Sequence, residues 1–231
     1  MSIPQLTPLQ TPHPTGRSGR DAKITAMPQH SEESALYLAA IPHTREQVLT
    51  RPCPVPAAPG VYGWWFRELP TTLDTSGCAK KDGLTLLYTG ISPKKPPASG
   101  GAPSRQTLRT RIKTHYTGNA AGSTLRLTLG SLLADELGIA LRRVGSGNRL
   151  TFHTGEKQLS EWMHANALVS WIESVEPWEV EHRLITSLDV PLNLDSNGHN
   201  GFYPILKTVR SEARRRAGEL PVLPNPGVGG R

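Results

Sequence analysis

The stretch Pro59-Gly-Val-Tyr-Gly-Trp-Trp-Phe66 decides the fold that the sequence predicts. Its proline and glycine form a turn signal, and the β-branched and aromatic run that follows is typical of a strand. Because side chains alternate along a strand, Tyr62, Trp64 and Phe66 are expected on one face. The folded domain is therefore expected to begin just before this strand.

A second strand is predicted at Leu84-Thr-Leu-Leu-Tyr-Thr-Gly90. Alternation places Leu84, Leu86 and Tyr88 on one of its faces. Residues 67–83, which hold Thr, Ser, Gly, Asp and Lys, are expected to form the loop between the two strands. Two neighbouring strands that each carry a tyrosine near one end predict an antiparallel hairpin as the seed of a sheet.

A helix with two polar side chains on one face is predicted after the second strand. A loop over residues 93–104, rich in Pro and Gly, leads into it, Ser104 is the expected N-cap, and the helix ends near Tyr116. Arg111 and His115 are four residues apart, which separates them by roughly 40° around the helix. Both side chains can therefore point at one site.

The acidic half of the candidate site lies in Trp178-Glu-Val-Glu-His-Arg-Leu-Ile-Thr-Ser-Leu-Asp-Val-Pro-Leu-Asn193. Leu184, Ile185 and Leu188 fall at helical spacing, and Glu181 lies one turn before Leu184 and Ile185. The predicted helix stops before Pro191, because a proline biases the preceding residue away from helix. An acid on a short helix and an amide after a proline turn form one half of a possible site. The other half would be a set of cationic side chains that the fold brings next to them.

The remaining apolar periodicities predict further helices and strands. They are a helix over 123–137, a hairpin over 142–154, a helix over 156–167, a strand over 168–172 and a last helix over 204–217. We therefore expect an α/β (α+β) fold in which a small, mainly antiparallel sheet is flanked by helices.

The two ends of the chain differ in composition from its middle. Residues 1 to about 30 are rich in Pro, Thr, Ser and Gln and poor in large apolar side chains, which predicts disorder. With a short helix expected over 32–40, residues 1–50 are interpreted as a disordered or extended N-terminal arm. Residues 51–217 are the expected folded domain, and residues 218–231 the expected disordered C-terminal tail.

The formal net charge of +7 favours an anionic partner, nucleic acid before membrane. No Asp or Glu lies between Gly83 and Ala134, while residues 156–195 are rich in acids. A basic segment suits a phosphate backbone, and an acidic one suits a divalent cation. The candidate nucleic-acid contacts in the basic segment are Lys94, Lys95, Arg105, Arg109 and Lys113. Ordinary solvated faces are the alternative interpretation of both segments.

The two cysteines, Cys53 and Cys78, have neither a metal-ligand spacing nor a disulfide framework, and they fit free thiols in a reducing compartment. No apolar run approaches the roughly 18 residues that a membrane span needs. No secretory signal is visible at the N-terminus. A cytoplasmic protein without a membrane partner is expected.

Taken in chain order, these motifs resemble the GIY-YIG nuclease family. The motifs are Pro59-Gly-Val-Tyr62, Leu87-Tyr-Thr-Gly90, Arg111 with His115, Glu181 before Leu184-Ile185, and Asn193 after Pro191. The resemblance spans roughly residues 59–203. The middle Ile of both tripeptides is replaced, by Val61 and Thr89, and both are tolerable strand substitutions.

The resemblance implies a metal-dependent endonuclease that hydrolyses phosphodiester bonds in DNA. Glu181 would bind the divalent metal, Mg²⁺ or Mn²⁺, and Arg111 would pair with the scissile phosphate. Tyr62 and Tyr88 would position or deprotonate the attacking water. Since a phenol titrates at about 10 when unperturbed, a role as base needs its pKa lowered by a nearby cation.

His115 is implied to orient Tyr62 or contact phosphate, and Asn193 to fix the phosphate or the turn of the site. Each of these residues also has a structural interpretation, since strand tyrosines are more often packing residues. Glu181 is preferred over Glu179 as the metal ligand, because it alone has the family's spacing to Leu184-Ile185 and to Asn193.

The chain also departs from the compact members of the family. Residues 67–83 and 93–104 look like insertions, and Ile91-Ser92 stand where many members carry a lysine, for which Lys94 and Lys95 are the candidate replacements. The long spacing and the Arg/His pair are similar to the restriction-endonuclease branch.

Two other functions stay open. One is a non-catalytic nucleic-acid-binding module that keeps the nuclease fold, and a remoter one is a structural or partner-binding protein. A lone nuclease site cuts one strand at a time, so clean double-strand cleavage would suggest dimers. Monomer and homodimer are both left open.

Overall fold

A computed structural model describes residues 29–68, 73–100 and 104–226. Within these ranges the chain forms one four-stranded sheet, one separate hairpin and eight helices. The disorder predicted for residues 1–28 and for 227–231 lies outside the described residues.

The secondary structure is as follows. The strands are β1 Gly60–Phe66, β2 Lys80–Lys81, β3 Leu84–Ser92, β4 Arg142–Val144, β5 Arg149–Thr151 and β6 Ala167–Glu173. The helices are α1 Gln29–Ala39, α2 Arg45–Leu49, α3 Leu108–Thr117, α4 Thr124–Leu132, α5 Ala134–Leu137, α6 Glu156–Asn166, α7 Pro177–Ser187 and α8 Tyr203–Glu219. The sheet has the order β2-β3-β1-β6 with every pair antiparallel, and β4 and β5 form the separate hairpin. The predicted α/β (α+β) fold, a small antiparallel sheet flanked by helices, is confirmed.

Helices cover both faces of the sheet. Tyr62, Trp64 and Phe66 share one buried cluster with side chains of α3, α4 and α6, as the alternation along β1 predicts. Val61 and Trp65 point to the opposite face, where they pack with α1 and α7. The central strand β1 is buried along its whole length because it is covered from both sides.

A bulge in β3 changes which face Tyr88 occupies. Trp64 pairs with Tyr88, but the next residue, Trp65, pairs with Leu86, so Leu87 is an extra residue in β3. The prediction that Tyr88 shares a face with Leu84 and Leu86 is therefore wrong, because one inserted residue reverses the alternation. The bulge brings Tyr88 onto the face that carries Tyr62.

The segment predicted as a plain loop over 67–83 contains the short strand β2, which pairs with β3. Asp82 and Gly83, both with positive φ, form the tight turn between these strands. An Asp-Gly pair suits a two-residue hairpin turn because both positions require φ above zero. This segment therefore adds an edge strand to the sheet.

Helix α3 begins later than predicted. Thr107, not Ser104, is its N-cap, and Thr107 and Thr110 exchange the two hydrogen bonds of a capping box. Ser104 instead accepts a hydrogen bond from the Gln106 amide. The helix predicted over 123–137 is divided into α4 and α5 and ends at Gly138, which adopts φ 61°.

The N-terminal arm predicted over residues 1–50 belongs to the fold from residue 29 onward. The helix expected over 32–40 is present as α1, and its Tyr37 is fully buried and hydrogen-bonded to Thr89 Oγ1 at 2.7 Å. His43 forms an isolated bridge with Val169 of β6. Composition alone did not reveal these contacts, because they are made with strands far along the chain.

The C-terminal boundary also differs from the predicted residue 217. Helix α8 continues to Glu219, and Leu223 bridges Val144 of β4. The Leu223 amide donates to the Arg143 carbonyl and the Gly145 amide donates to the Leu223 carbonyl, each at 2.9 Å. Residues 220–223 therefore extend the β4–β5 hairpin.

Candidate active site

A cleft of about 760 Å³ opens between the sheet and helices α3, α7 and α8. Five of the six predicted catalytic residues line it, namely Tyr62, Tyr88, Arg111, Glu181 and Asn193. His115, the sixth, is fully buried behind Tyr62. The cationic and the acidic half of the predicted site therefore meet in one cleft.

Tyr62 lies at the end of a buried chain of hydrogen bonds. Its hydroxyl is 2.8 Å from His115 Nε2, and His115 Nδ1 is 2.6 Å from Ser123 Oγ. Ser123 is the N-cap of α4 and accepts a hydrogen bond from the Arg126 amide. Helix α4 thereby fixes the imidazole, and the imidazole fixes Tyr62.

The glycine of the second tyrosine motif is required by this packing. Gly90 pairs with Tyr62 across β1 and β3, and a Cβ atom added to it would lie 2.6 Å from the Tyr62 hydroxyl oxygen. A larger residue at position 90 would therefore displace the ring of Tyr62.

Arg111 approaches Tyr62 from α3. Its Nε donates to the Tyr62 hydroxyl at 3.3 Å, and one terminal nitrogen donates to the Gly122 carbonyl at 2.8 Å. Two contacts therefore hold the guanidinium at the wall of the cleft.

Burial keeps both tyrosines and the histidine neutral. It raises the pKa of Tyr62 to about 12, although the charge of Arg111 opposes the shift. It also raises the pKa of Tyr88 well above its usual value, with Tyr62 and Glu181 adding to the shift. Burial, reinforced by Arg111, lowers the pKa of His115 well below its usual range. The lowered phenol pKa that a tyrosine base requires is therefore not found in this arrangement.

Glu181 and Glu179 have different environments on α7. Glu179 is exposed and forms an ion pair with Lys95, with 3.0 Å between Nζ and Oε1. Glu181 lines the cleft, and burial together with Asp195 raises its pKa to about 7. Among the described residues no side chain forms an ion pair with Glu181, so its carboxylate is open to a ligand.

A family model described as the GIY-YIG catalytic domain matches residues 60–212, more than half of the chain. The chain belongs to the GIY-YIG family. Neither the curated proteins nor the solved structures contain a match to it. The family is one of endonucleases, so its fold is that of a nuclease and a nucleic acid is the class of substrate it implies.

The donor set of this GIY-YIG domain fits a divalent ion held mainly by substrate and water. Glu181 faces the cleft and Asp195 also lines it, while the described residues contain no cluster of three or more candidate ligands. Mg²⁺ keeps several waters and is commonly bound by one or two carboxylates together with substrate phosphates. The chemistry of the carboxylates therefore fits the ion that the family uses.

Asn193 is tied to the sheet of the GIY-YIG domain. Its Oδ1 accepts from the Thr89 amide at 2.9 Å, and its Nδ2 donates to the Thr89 carbonyl at 2.8 Å. Both polar atoms of the amide are thus used by the backbone of β3. The turn around Pro191 therefore docks on β3, and this connection places α7 beside the tyrosines.

All five candidate nucleic-acid contacts are exposed on the GIY-YIG domain. They are Lys94, Lys95, Arg105, Arg109 and Lys113. Only the first two line the cleft, and Lys95 is the one paired with Glu179. Arg109 uses Nε to hold the Val55 carbonyl at 2.8 Å.

The structure adds residues to the site that the motifs did not indicate. Ser123 was predicted only as the start of a helix, and Asp195 only as one acid in an acidic segment. Arg210 lines the cleft from α8. The sequence could have indicated this arginine, because Arg210 lies four residues after Leu206, on the apolar face of the predicted last helix.

No helix in the described ranges has the length and apolar character needed to cross a bilayer.

Proposed function

We propose that the protein is a metal-dependent endonuclease that hydrolyses phosphodiester bonds in DNA. The observation that supports it most is the convergence of Tyr62, Tyr88, Arg111 and Glu181 on one cleft. These residues come from β1, β3, α3 and α7, so packing alone does not require their polar ends to meet.

Glu181 would hold the divalent ion, Mg²⁺ or Mn²⁺. The negative charge of Asp195 acts on Glu181 and would add to the attraction for the cation. When bound, the ion supplies Lewis-acid polarisation of a phosphoryl oxygen. The raised pKa of Glu181 reflects a buried carboxyl without a counter-charge, and a bound cation would supply that charge once the carboxyl loses its proton.

Arg111 is proposed to neutralise the scissile phosphate. Its contacts with Tyr62 and Gly122 leave further N–H groups for an anion. A planar guanidinium suits a non-bridging phosphate oxygen better than a point charge does, because it donates two parallel hydrogen bonds.

Tyr62 is proposed to orient the attacking water as a neutral phenol. With a pKa of about 12, it does not ionise near neutral pH. The neutral imidazole of His115 has a single N–H for two acceptors, the oxygens of Tyr62 and Ser123. When that N–H points to Ser123, Tyr62 donates to Nε2, and its oxygen accepts from Arg111 and from a water in the cleft.

The remaining features are consistent with an extended polyanion as substrate. Lys94 lines the cleft and its charge acts on Glu181, so we propose that it, and not the paired Lys95, replaces the family lysine. Arg105 and Lys113 would follow the backbone outside the cleft. A cytoplasmic setting is part of the proposal, and the free thiols of Cys53 and Cys78 support it.

A plasmid assay tests the proposal. Supercoiled DNA is incubated with purified protein and Mg²⁺ or Mn²⁺, and wild type is compared with Glu181→Ala, Arg111→Ala and the control Glu179→Ala. Cleavage is expected for wild type and the control, with a loss of about 1000-fold in the other two, since several kcal/mol of transition-state stabilisation are removed. Equal cleavage by wild type and Glu181→Ala would refute the metal-binding role.

A protein that binds DNA but cleaves no substrate with either ion would instead be a non-catalytic binding module. The high pKa of both tyrosines favours this alternative, because it leaves the cleft without a phenolate to deprotonate the attacking water.

A further inference from the structure

Arg210 is a buried arginine without a counter-ion in the described part of the chain. It belongs to the buried face of α8 with Leu206 and Ala217, and it is 8% exposed. Its Nε is enclosed and has no hydrogen-bond partner. Of the ion pairs formed by the described residues, none includes Arg210.

Arg126 shows what a buried arginine with a structural role has in this protein. It is fully buried, and it donates to the Glu156 carboxylate through Nε at 2.9 Å and through Nη2 at 2.6 Å. Carbonyl oxygens of His115 and Glu156 accept further hydrogen bonds from it. Arg210 has no comparable set of partners, so burial in its case is uncompensated.

The surroundings of Arg210 increase the cost of burying its charge. Burial and the neighbouring charge of Arg214 both lower its pKa. Asp195 acts on it favourably but lies beyond ion-pair distance. An isolated buried charge destabilises the folded state unless a partner compensates it. The position therefore favours the arrival of an anion from the cleft.

Arg210 and Arg111 both lie near Tyr88 in the cleft. Both arginines line the cleft. The positive charge of each acts to lower the pKa of the Tyr88 phenol, against the larger effect of burial. Arg111 is bonded to Tyr62, whereas the groups that act on Arg210 are Tyr88, Asp195 and Arg214. Arg210 is thus farther from the Tyr62–His115 pair than Arg111 is.

We propose that Arg210 binds a backbone phosphate that flanks the scissile phosphate, on the α8 side of the cleft. This proposal rests on the proposed function, since the strand that supplies both phosphates is the nuclease substrate. Arg210 would hold the strand in register along the cleft while Arg111 contacts the scissile group. Its free N–H groups can donate two parallel hydrogen bonds to one phosphate.

The proposal is tested by DNA binding without divalent metal, in EDTA, over a range of salt concentrations. Wild type is compared with Arg210→Met and with the control Arg216→Met, which removes the same charge from an exposed position of the same helix. Arg210→Met is expected to weaken binding about 10- to 100-fold at low salt. The slope of log K against log salt should fall by about one, as for one lost phosphate contact. Arg216→Met should leave both quantities near wild type.

Thermal unfolding separates binding from a structural role. Since the charge of Arg210 is uncompensated, Arg210→Met should unfold at or above the temperature of wild type. Inorganic phosphate should raise the unfolding temperature of wild type more than that of Arg210→Met. Arg210→Lys keeps the charge, so it should retain the salt slope while losing affinity. A lower unfolding temperature for Arg210→Met, or binding and salt slope equal to those of Arg216→Met, would overturn the proposal.

The two proposals fail in different ways. Binding with the expected salt slopes but no cleavage by wild type contradicts the endonuclease and leaves the contact of Arg210 with a backbone phosphate standing. Normal cleavage and binding by Arg210→Met contradict the role of Arg210 and leave the endonuclease standing.

Discussion

Two glutamates on α7 show how strongly burial decides the chemistry of a side chain. Glu179 is exposed, and its hydrogen bond with Lys95 lowers its pKa. Glu181 is two residues further on, and burial raises its pKa to about 7. A solvated acid that is already paired has little to offer a metal, whereas a buried acid without a partner gains from binding one.

The pH dependence of stability is expected to reveal Glu181. In the metal-free protein its pKa lies near 7, above the usual 4.5, so the folded state holds the proton more tightly than the unfolded state does. Its contribution to stability is therefore complete below about pH 4.5 and is lost as the pH rises through about 7. Thermal unfolding from pH 5 to 8 should show this decline in wild type.

Glu181→Gln should lack that decline, because the amide does not titrate. Glu179→Gln should keep it, since the pKa of Glu179 is shifted in the opposite direction. The increase in unfolding temperature caused by added Mg²⁺ should grow over the same pH range in wild type. It should not grow in Glu181→Gln. Parallel curves for wild type and Glu181→Gln would contradict the prediction.

Asn193 is expected to act on stability more than on chemistry. Asn193→Ala leaves the amide and the carbonyl of Thr89 buried without partners, which should cost about 1–3 kcal/mol for each group in the free energy of unfolding. Urea unfolding measures this loss. If Asn193 instead contacted phosphate, Asn193→Ala would keep its stability and lose DNA affinity.

The motifs predicted five side chains that line the cleft, but they did not predict how these side chains are supported. The sequence places Arg111 and His115 on one helical face, and the structure has Tyr62 in contact with both. Ser123 could not be assigned, because its contact with His115 depends on how α4 packs beside α3. The raised pKa of Tyr62 was also unpredictable, since burial outweighs Arg111 only once the surrounding core is known.

At the scale of the elements, the bulge at Leu87 matters most. Strand patterns with a period of two indicate faces correctly until one residue is inserted. β1 has no extra residue, so the faces of its side chains were predictable. Those of β3 were not, because Leu87 is inserted there. The same bulge lets Leu86 pack with α7 while Tyr88 faces the cleft.

Arg126 should be the most destabilising arginine to replace among those near the cleft. It joins α4 to α6 through Glu156, whose carboxylate also accepts from the amides of Ala120 and Phe152. Arg126→Met leaves the partly buried Glu156 without its cation, at a cost of about 3 kcal/mol. Chemical unfolding should therefore separate Arg126→Met clearly from Arg210→Met. Equal stability of the two variants would contradict the contrast drawn between these arginines.

At the scale of the whole molecule, the folded unit is larger than composition indicated. Tyr37 and Val48 bring α1 and α2 into the two cores, and Leu223 adds to the β4 edge. The order and type of the central elements could be predicted, because each has a local periodic pattern. The ends could not, since their contacts with Thr89 and Val144 join residues distant in sequence.

A chain cut to the predicted domain, residues 51–217, should therefore be far less stable than one spanning 29–226. Tyr37→Ala alone should cost about 3–5 kcal/mol, as for other large aromatic side chains removed from a core. Tyr37→Phe removes only the hydrogen bond with Thr89 and should cost about 1 kcal/mol. Thermal unfolding of the four proteins checks this order. A 51–217 chain as stable as 29–226 would show that α1 and α2 are dispensable.

The bridge of His43 with Val169 has a consequence for self-association. It occupies both the amide and the carbonyl of Val169 on the outer edge of β6, and the Tyr116 hydroxyl takes the carbonyl of Ala167. At the opposite edge, β2 has only two residues, and beyond it Leu192 and Asn193 bond the backbone of Leu87 and Thr89 in β3. Exposed strand edges are the usual templates for joining sheets between molecules, and here one is covered and the other is short. Two copies that meet on a duplex to cut both strands would therefore associate through helices and loops, and the two sheets would remain separate.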